Sequence, residues 1–364
     1  MKILLFTLEY PPFKGGVANT YENIVRHWSV PENVFVLNNN KNELIKRGLP
    51  FLAWLPCLWR LWSSVKKNKI NHVLVGHVLP LGTATLLLAR MLKIKYSVFL
   101  HGMDFSFACR SRRKKFLMKK ILEKSDNIIC GNTYLESEVK KFLPEQKNKI
   151  FVVNPGVNPE IVIDQALLQE IKEEYDLKNK IVLLQVGRLV KRKGQDKVIK
   201  AMPAILTRVP NLVYFIAGAG ADETYLKKKV AELPASAQNR IVFLGRVSDE
   251  KKWAWLQTCD IFIMPSRNID GDFEGFGIVY LEANLLEKPT IAGRSGGVED
   301  AVKHGVNGLL VDSEKSNQIA QAVIALAQDR ELQNKLGQQG RERALKDFAW
   351  KKQIEKIYKI INQL

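Results

Sequence analysis

The sequence lacks the cysteine patterns that mark disulfide frameworks and zinc sites. Its 364 residues contain four cysteines, Cys57, Cys109, Cys130 and Cys259, with no C-x-x-C pair and no spacing typical of metal ligands. Scattered cysteines of this kind are typical of buried thiols in a reducing compartment. We therefore expect a cytoplasmic protein without structural disulfides.

A hydrophobic run long enough to span a bilayer is also missing. The uncharged stretch 73–89 comes near the required length, but Pro80 and Gly82 divide it into a strand and a helix. We expect no transmembrane span. The dinucleotide-binding fingerprint is absent as well: no G-x-G-x-x-G opens a helix with an acidic partner downstream, and Gly218-Ala-Gly220 is too short a match. This argues against a dehydrogenase.

Negative charge is scarce, particularly in the first half of the chain. The formal net charge is +19, and residues 1–165 hold 25 of the 56 lysines and arginines but 12 of the 37 acidic residues. Two segments concentrate the excess. Residues 51–69 combine Trp54, Trp59 and Trp62 with four cations, and residues 110–120 contain seven cations around an apolar centre.

Three interpretations of these basic segments compete. Leu55, Leu58, Trp59, Trp62 and Val65 share one helical face, which predicts an amphipathic helix with a basic opposite face. Such a surface suits an anionic membrane. Alternatively, the tryptophans pack into the domain and the lysines are merely solvated. Nucleic acid would attract the same charge, but no base-reading motif is present, so we expect no nucleic-acid partner.

Twelve strand-like segments alternate with helical patterns, in two sets of six. The strands of the first set begin near Ile3, Val34, Val73, Tyr96, Asn127 and Ile150, and those of the second begin near Ile181, Leu212, Ile241, Ile261, Thr290 and Gly308. This alternation is typical of parallel sheets with right-handed crossovers. The chain is also longer than one core usually holds. The sequence therefore predicts two α/β domains, 1–165 and 166–349, and a final helix over 350–364.

Two glutamates flank a glycine-containing segment that follows a strand-like run. The segment is Glu274-Gly275-Phe276-Gly277-Ile278 and continues to Glu282. Gly277 predicts a helix start whose free N–H groups and positive dipole end face a ligand. This arrangement suits a nucleotide-sugar: Glu274 and the first-turn amides bind sugar hydroxyls and phosphate, and Glu282 binds the ribose hydroxyls.

A basic turn follows the apolar run 181–186. It reads Gly187-Arg188-Leu-Val-Lys-Arg-Lys193-Gly194. A strand that ends in this way places cations at the carboxyl edge of a sheet, where open α/β folds bind ligands. Arg188 and Lys193 could neutralise a leaving diphosphate without a metal.

Together these segments resemble the retaining glycosyltransferases of family 4, which share the Gly-Arg-(x4)-Lys-Gly turn and the Glu-(x7)-Glu element. The resemblance covers nearly the whole chain and includes the Gly15-Gly16 loop, His101 in His-Gly-Met-Asp, and the glycine turn at 295–299. The wording of the motifs is most similar to the phosphatidylinositol mannosyltransferase branch. It implies the GT-B fold, in which two Rossmann-like, doubly wound parallel-sheet domains face each other across a cleft.

The resemblance also implies roles for the matched residues. The N-terminal domain, completed by the helix over 350–364, would bind the acceptor, and residues 166–349 would bind the donor. Arg188 and Lys193 would stabilise the diphosphate, with amides of Gly15 and Gly16 close by. His101 would lie against the donor sugar and Glu274 would hold its hydroxyls. Base-reading contacts would be largely backbone, around Gly245 and Arg246.

One motif indicates a different chemistry. Asp270-Gly-Asp272 has the D-x-D spacing with which another class of glycosyltransferases holds a divalent metal. Because Arg188 and Lys193 already supply charge for the diphosphate, we expect a reaction without metal or other cofactor.

Together with the basic segments, the resemblance implies a bacterial cell-envelope enzyme at the cytoplasmic face of the plasma membrane. It would transfer a mannose- or glucose-type hexose from GDP-mannose or a UDP-sugar to a lipid, lipid-linked or glycan acceptor, with retention. A nucleotide-sugar epimerase or a phosphorylase of the same fold is the alternative, because fold alone does not decide between them.

Overall fold

The computed structural model describes residues 1–13, 15–45 and 53–362. Lys14, the first two residues of the basic segment 51–69, and Leu364 of the predicted final helix lie outside the described residues. The chain divides into two compact units. Unit 1 comprises Met1–Gly156 and Trp350–Leu364, and unit 2 comprises Val157–Ala349.

Unit 1 is built on one parallel sheet of six strands. The strands are β1 (Ile3–Phe6), β2 (Val34–Leu37), β3 (His72–Val75), β4 (Lys95–Leu100), β5 (Asn127–Cys130) and β6 (Ile150–Val152). The α-helices are α1 (Gly16–Arg26), α2 (Leu55–Asn68), α3 (Leu81–Leu92), α4 (Met103–Cys109), α5 (Arg112–Lys124), α6 (Thr133–Phe142) and α16 (Trp350–Asn362), with 3-10 turns at Pro31–Asn33 and Pro144–Lys149.

Unit 2 repeats this architecture. Its strands are β7 (Ile181–Val186), β8 (Leu212–Ala217), β9 (Ile241–Gly245), β10 (Ile261–Met264), β11 (Thr290–Gly293) and β12 (Gly308–Val311). Its helices are α7 (Gln165–Glu174), α8 (Gln195–Arg208), α9 (Glu223–Ala231), α10 (Ala235–Gln238), α11 (Asp249–Thr258), α12 (Ile278–Leu285), α13 (Val298–Ala301), α14 (Ser316–Gln328) and α15 (Arg330–Phe348), with a 3-10 turn at Lys191–Lys193.

The strand order of each sheet explains where a ligand can bind. In unit 1 the order is β2-β1-β3-β4-β5-β6, and in unit 2 it is β12-β11-β10-β7-β8-β9. The order in which strands are added along the sheet therefore reverses between β1 and β3 in the first sheet and between β7 and β10 in the second. Loops after these strands diverge and leave a crevice at the carboxyl edge. The predicted pair of doubly wound parallel sheets is confirmed.

Both sheets are covered by helices on their two faces, and this explains their apolar strands. All four residues of β1 and all six of β8 are buried. In unit 1, helices α2 to α6 cover one face of the sheet, and α1 with α16 cover the other. Strands buried on both faces read as continuous hydrophobic runs.

The boundary between the units lies earlier than the predicted position at residue 165. Val157 already belongs to unit 2, because its N–H donates to the Phe348 carbonyl oxygen at 2.8 Å and it pairs with Ala349 in a parallel bridge. Helix α7 follows, with Ile171 buried in the core of unit 2. The chain returns to unit 1 at Trp350.

Helix α2 buries one stripe and leaves two of its tryptophans at the surface. Cys57, Leu61 and Val65 form its buried stripe, whereas the side chains of Trp59 and Trp62 are 61% and 42% exposed. The predicted helix is present, but of the predicted apolar face only Val65 belongs to the buried stripe, and Trp59 and Trp62 lie on the solvent side of the helix. The interpretation that all the tryptophans pack inside is therefore wrong.

The exposed tryptophans belong to a wider surface, which we call the basic aromatic face. It is formed by α2, α3, α4 and α5, which pack on one another in the order α2-α3-α5-α4. Its exposed apolar side chains are Trp59, Trp62, Leu87, Met91, Met103, Phe107 and Phe116. In the part of the chain that the structure describes, no helix has the length and apolar character needed to cross a membrane.

Helix α16 is an integral part of unit 1, and this can be tested. Ile354 is 1% exposed and packs with β1 residues, so Ile354→Ala should cost about 2–5 kcal/mol of stability. Hydrogen exchange should accelerate in β1 and β3 and stay unchanged in β7 and β8. The exposed Lys351 provides the control, since Lys351→Ala should change neither. Equal acceleration in both units would contradict this placement.

Candidate functional site

The first candidate site lies in unit 2 between β7 and β10, where the strand order reverses. The basic turn after β7 and the loop after β10 both leave the sheet there. Gly194 ends the basic turn with φ of 74°, a left-handed conformation that favours glycine. A Cβ on Gly194 would also collide with the Pro265 carbonyl oxygen. Glycine therefore lets these two loops approach closely.

The centre of this site is a buried ionic cluster around Glu274. Its Oε2 atom accepts a hydrogen bond from Arg192 Nη1 at 2.6 Å and lies 2.5 Å from Lys193 Nζ. The Ser266 hydroxyl lies at 3.4 Å from the same oxygen. Arg192 also reaches Asp272, with Nε 3.2 Å from Oδ1. The basic turn and the loop before α12 are thus joined by charge-assisted hydrogen bonds.

Burial and charge act in opposite directions on Glu274. Burial raises the pKa of its carboxyl group, but the positive charges of Lys193 and Arg192 outweigh burial and bring the pKa from 4.5 to about 2. Burial lowers the pKa of Lys193, and Glu274 opposes this change. Glu274 is therefore ionised at neutral pH.

The other carboxylate oxygen of Glu274 is left open. All three side-chain contacts fall on Oε2. Among the residues that the structure describes, no donor reaches Oε1. An ionised carboxylate fixed through one oxygen can accept hydrogen bonds from ligand hydroxyls through the other.

Arg188 differs from Lys193 in its surroundings. The Arg188 side chain is exposed, and no carboxylate of the described residues lies within ion-pair distance of it. Its carbonyl oxygen accepts a hydrogen bond from Gln195 Nε2 at 3.2 Å, which ties the backbone to the start of α8. Of the two predicted diphosphate ligands, Arg188 is thus open to an anion, whereas Lys193 is already paired with Glu274.

The Asp270-Gly-Asp272 motif forms a tight turn. Ile269 and Asp272 exchange two backbone hydrogen bonds. Asp270 and Gly271 between them have φ of 51° and 79°. This is the geometry of a two-residue hairpin turn, for which Asp-Gly is a preferred sequence. Asp270 and Gly271 thus form the turn, and Asp272 pairs with Arg192.

The segment after Glu274 leads into α12. Gly277 precedes the helix with φ of 80°, and a Cβ there would press on the Tyr280 ring. Phe276 is 4% exposed and packs against Phe348 with ring centroids 5.6 Å apart. Among the predicted ligand-binding residues 275–278, Phe276 therefore offers its backbone and not its ring.

Glu282 lies on α12, away from the cluster around Glu274. Its Oε1 accepts a hydrogen bond from Lys252 Nζ at 2.8 Å, and both side chains are largely buried. Lys252 belongs to α11. The lysine therefore fixes the carboxylate in one position, and the pair joins α11 to α12.

Gly245 is the last residue of β9 and Arg246 follows it, at the same edge of the sheet. The Gly245 carbonyl oxygen accepts a hydrogen bond from Gly218 N at 2.7 Å. This carbonyl therefore belongs to the sheet. Arg246 is exposed.

The predicted residues of unit 1 lie at the carboxyl edge of the first sheet. Gly15 precedes α1 and Gly16 is its first residue, and no side chain caps this helix start. A Cβ on Gly16 would meet no atom within 4 Å. His101 follows β4, where its Nε2 lies 2.6 Å from the Tyr21 hydroxyl oxygen.

Asp104 makes three backbone contacts at the turn between β4 and α4. Its Oδ1 atom accepts hydrogen bonds from the N–H groups of His101, Gly102 and Phe105. Burial raises the pKa of Asp104, while His77 and these N–H groups lower it. Asp104 thereby fixes the backbone on both sides of the β4–α4 turn.

Sequence reasoning missed four residues at these two edges. Arg192 lies in the basic turn but was not singled out, although it bridges Asp272 and Glu274. Lys252 holds Glu282 and is 30 residues away in sequence. Tyr21 and His77 surround His101, and His77 Nε2 lies 3.7 Å from Glu9 Oε1. A lone lysine or tyrosine on a helix carries no spacing signal, so only packing reveals the last three.

Comparisons with known proteins identify the family of the chain. Residues 15–161 match the family described as Glycosyltransferase Family 4, and residues 169–343 match Glycosyl transferases group 1. A GDP-mannose-dependent alpha-(1-6)-phosphatidylinositol monomannoside mannosyltransferase of Mycolicibacterium smegmatis is 33% identical, covering 99% of this chain and 98% of that protein. A GDP-mannose-dependent monoacylated alpha-(1-6)-phosphatidylinositol monomannoside mannosyltransferase of Corynebacterium glutamicum is 35% identical, covering 99% of this chain and 97% of that protein.

A solved structure shows the same fold. The crystal structure of Anabaena Alr3699/HepE in complex with UDP superposes with a TM-score of 0.81 at 18% sequence identity, and the match covers all of both chains. Together with the two six-stranded parallel sheets, this similarity identifies the fold as the two-domain GT-B fold.

The Glu274 cluster makes the stability of unit 2 depend on pH. Because the folded-state pKa of Glu274 is about 2 and its ordinary value is 4.5, its stabilisation is complete above pH 4.5 and is lost as pH falls from 4.5 towards 2. In Glu274→Gln, the free energy of unfolding should fall by about 3 kcal/mol less than in the wild type when the pH is lowered through this range. Urea unfolding from pH 7 to pH 3 measures it.

The control for this experiment is Glu299→Gln. Glu299 pairs with Arg294 on the surface, with both side chains more than half exposed, and exposed pairs contribute little. Its pH profile should follow that of the wild type. Parallel acid profiles for wild type and Glu274→Gln would contradict the electrostatic role assigned to the cluster.

Proposed function

Because this chain belongs to the family 4 glycosyltransferases of the GT-B fold, we propose that it is a retaining, metal-independent hexosyltransferase. Its donor is a nucleoside-diphosphate sugar, and its acceptor is a lipid, lipid-linked sugar or glycan at the cytoplasmic face of the membrane. The observation that carries the proposal is the cation set at the switch point of unit 2, arranged around an ionised carboxylate with one open oxygen.

The diphosphate of the donor binds to the basic turn after β7. Arg188 is exposed, and no carboxylate of the described residues pairs with it. Its planar guanidinium group donates hydrogen bonds to the phosphate oxygens. Lys193 lies at the floor of the turn, 2.5 Å from Glu274. Its charge is shared between Glu274 and the diphosphate when donor binds. Two preorganised cations supply the electrostatic stabilisation that a metal ion provides in other transferases.

The hexose and ribose of the donor bind to the two glutamates. Glu274 accepts hydrogen bonds from hexose hydroxyls through Oε1, while Arg192 and Lys193 hold Oε2. Glu282 accepts hydrogen bonds from the ribose hydroxyls, and Lys252 orients it. The first N–H groups of α12, after Gly277, have no acceptor within the helix and face the phosphates.

The transfer itself is a front-face displacement. The bond between the anomeric carbon and the diphosphate oxygen breaks, and the acceptor oxygen bonds to the same face of that carbon. The acceptor proton passes to the departing diphosphate oxygen. Arg188 and Lys193 stabilise the charge that grows on the diphosphate in the transition state. In unit 1, His101 and the backbone amides at Gly15 and Gly16 supply the further substrate contacts.

Two observations bear on the donor. The mycobacterial and corynebacterial relatives are named GDP-mannose-dependent, and the Anabaena structure contains UDP. We propose GDP-mannose or a UDP-hexose as the donor. The nucleotide base is read by backbone after β9, near Gly245 and Arg246.

The acceptor side of the proposal rests on the basic aromatic face. Phe116 is 64% exposed on α5, with Lys120 Nζ 5.8 Å from its ring centre. On α2, Arg60 Cζ lies 5.2 Å from the centre of the Trp59 ring. Aromatic rings enter the membrane interface, and lysines and arginines attract anionic lipid headgroups. This face therefore supports peripheral binding to an anionic membrane.

A surface pocket of about 630 Å³ adds to this face. Its lining residues are Phe105, Cys109, Arg112, Lys115, Phe116, Lys119, Glu138, Lys141 and Phe142. The one acidic residue among them, Glu138, is paired with Lys141 at 2.7 Å. The remaining cations make the pocket suited to a lipid phosphate.

The donor assignment predicts different effects from two substitutions. Arg188→Ala should lower kcat roughly 100-fold, because it removes charge stabilisation at the diphosphate. Glu282→Ala should weaken binding of GDP or UDP about tenfold, through loss of the ribose hydrogen bonds. Isothermal titration and initial rates measure both effects. Lys200→Ala, an exposed cation on α8, should change neither. Wild-type rates from Arg188→Ala would remove the diphosphate assignment.

The membrane assignment predicts that the protein sediments with vesicles containing anionic phospholipid and not with neutral vesicles. Phe116→Ala combined with Trp59→Ala should weaken binding to anionic vesicles by tenfold or more. Burial of each aromatic ring in the membrane interface contributes about 1–2 kcal/mol to the binding free energy. Tyr225→Ala on unit 2 is the matched control, since Tyr225 is also an exposed ring flanked by lysines. Failure to bind anionic vesicles at low salt would sink the membrane proposal.

A further inference from the structure

The Tyr21 hydroxyl lies between two polar groups at the carboxyl edge of the first sheet. Its oxygen is 2.5 Å from the Gly76 carbonyl oxygen and 2.6 Å from His101 Nε2. Tyr21 is fully buried on α1, and Gly76 directly follows β3. A Cβ on Gly76 would press on the Tyr21 ring. The glycine therefore makes room for this contact.

The short contact with Gly76 determines where the tyrosine proton lies. Burial, with smaller contributions from Asp104 and Glu9, raises the pKa of Tyr21 well above 10, so the hydroxyl keeps its proton. A carbonyl oxygen has no proton to donate. Two oxygens at 2.5 Å must share a hydrogen, so Tyr21 donates to Gly76. The Tyr21 oxygen is then an acceptor towards His101.

The protonation of His101 follows from this arrangement. Burial and, to a smaller extent, the neighbouring His77 bring the pKa of His101 to about 3, so its ring is neutral and carries one proton. Because Nε2 must donate to Tyr21, that proton is on Nε2. Nδ1 is left with a lone pair. Among the described residues, no hydrogen-bond partner reaches Nδ1.

The His101 ring is fixed by its neighbours on several elements. Phe99 stacks on it with ring centroids 4.7 Å apart, and Tyr21 meets it edge-on at 5.2 Å. Asp104 binds the His101 backbone N–H. The ring is thus held in orientation and tautomer before any ligand arrives.

We propose that Tyr21 is a positioning residue that holds His101 in the Nε2–H tautomer, so that Nδ1 accepts a hydrogen bond from a hydroxyl of the sugar substrate. The identity of the hydroxyl donor rests on the proposed function, but the tautomer does not. His101 thereby selects a ligand that donates a hydrogen bond at this position. A ligand that presents only an acceptor there would leave both groups without a partner.

The tautomer is tested by 15N NMR on the wild-type protein labelled at histidine, with the His101 signals assigned from a His101→Gln sample. We expect a neutral ring with the proton on Nε2 from pH 5 to pH 8. A proton on Nδ1, or titration within this range, would overturn the proposal whatever the protein's activity. Addition of GDP-mannose or UDP-glucose should then shift the Nδ1 signal, whereas bare GDP and UDP should not.

The role of Tyr21 is tested with two matched variants. Tyr21→Phe removes the acceptor for Nε2–H, so a second set of His101 signals should appear and kcat should fall about tenfold, with a smaller change in KM. Tyr96→Phe loses a similar buried hydrogen bond, from Tyr96 to the Ile121 carbonyl oxygen at 2.8 Å, but does not touch His101. Its His101 signals and kcat should match the wild type.

The outcomes separate two failures. A single wild-type tautomer in Tyr21→Phe, or equal losses of kcat in both variants, would show that Tyr21 acts only through stability and would overturn its positioning role. If the tautomer is as expected but a sugar nucleotide known to bind leaves Nδ1 unmoved, the hydroxyl contact is wrong. If no sugar nucleotide binds, the proposed function and the hydroxyl contact fail together, and the tautomer assignment stands.

Discussion

The buried carboxylate of Glu274 is the constraint on which the ionic cluster of unit 2, our proposed donor site, depends. A buried charge is costly unless it is paired and hydrogen-bonded. Here Arg192 and Lys193 supply the pairing from the turn after β7, and Glu274 comes from the loop after β10. The same pairing holds both loops together at the switch in strand order between β7 and β10. It leaves one oxygen of Glu274 and the whole of Arg188 to a ligand.

The first sheet solves a related problem with neutral groups. Tyr21, Gly76 and His101 form a chain of two hydrogen bonds in which each proton has one allowed position. A low-dielectric environment strengthens such chains and makes an unpaired member costly. In the proposed function, unit 2 supplies positive charge for the diphosphate, and unit 1 supplies the His101 lone pair for a hydroxyl. Each unit presents its groups at the carboxyl edge of a parallel sheet.

The sequence predicted the fold closely because parallel strands buried on both faces leave a continuous apolar signal. Each of the twelve strands begins within one residue of its predicted start. Helix α2 was harder, since Leu58 and Trp59 are both apolar and the pattern alone did not show that the core takes Cys57 and Leu61. At the site, motifs identified Glu274 and Lys193. Their partner Arg192, and the Tyr21–His101 contact, depend on long-range packing that no local pattern encodes.

The central claim is that the ionic cluster of unit 2 is a metal-independent site for a nucleoside-diphosphate sugar. A thermal-shift panel of GDP-mannose, UDP-glucose, other UDP-sugars and the free nucleotides, with and without excess chelator, tests it most directly. A ligand that binds only the folded state raises Tm, and the rise grows with the logarithm of the ligand concentration relative to Kd. We predict a clear rise with GDP-mannose or one UDP-sugar that chelator does not change. No rise with any nucleotide-sugar, or a rise that chelator abolishes, would contradict the account.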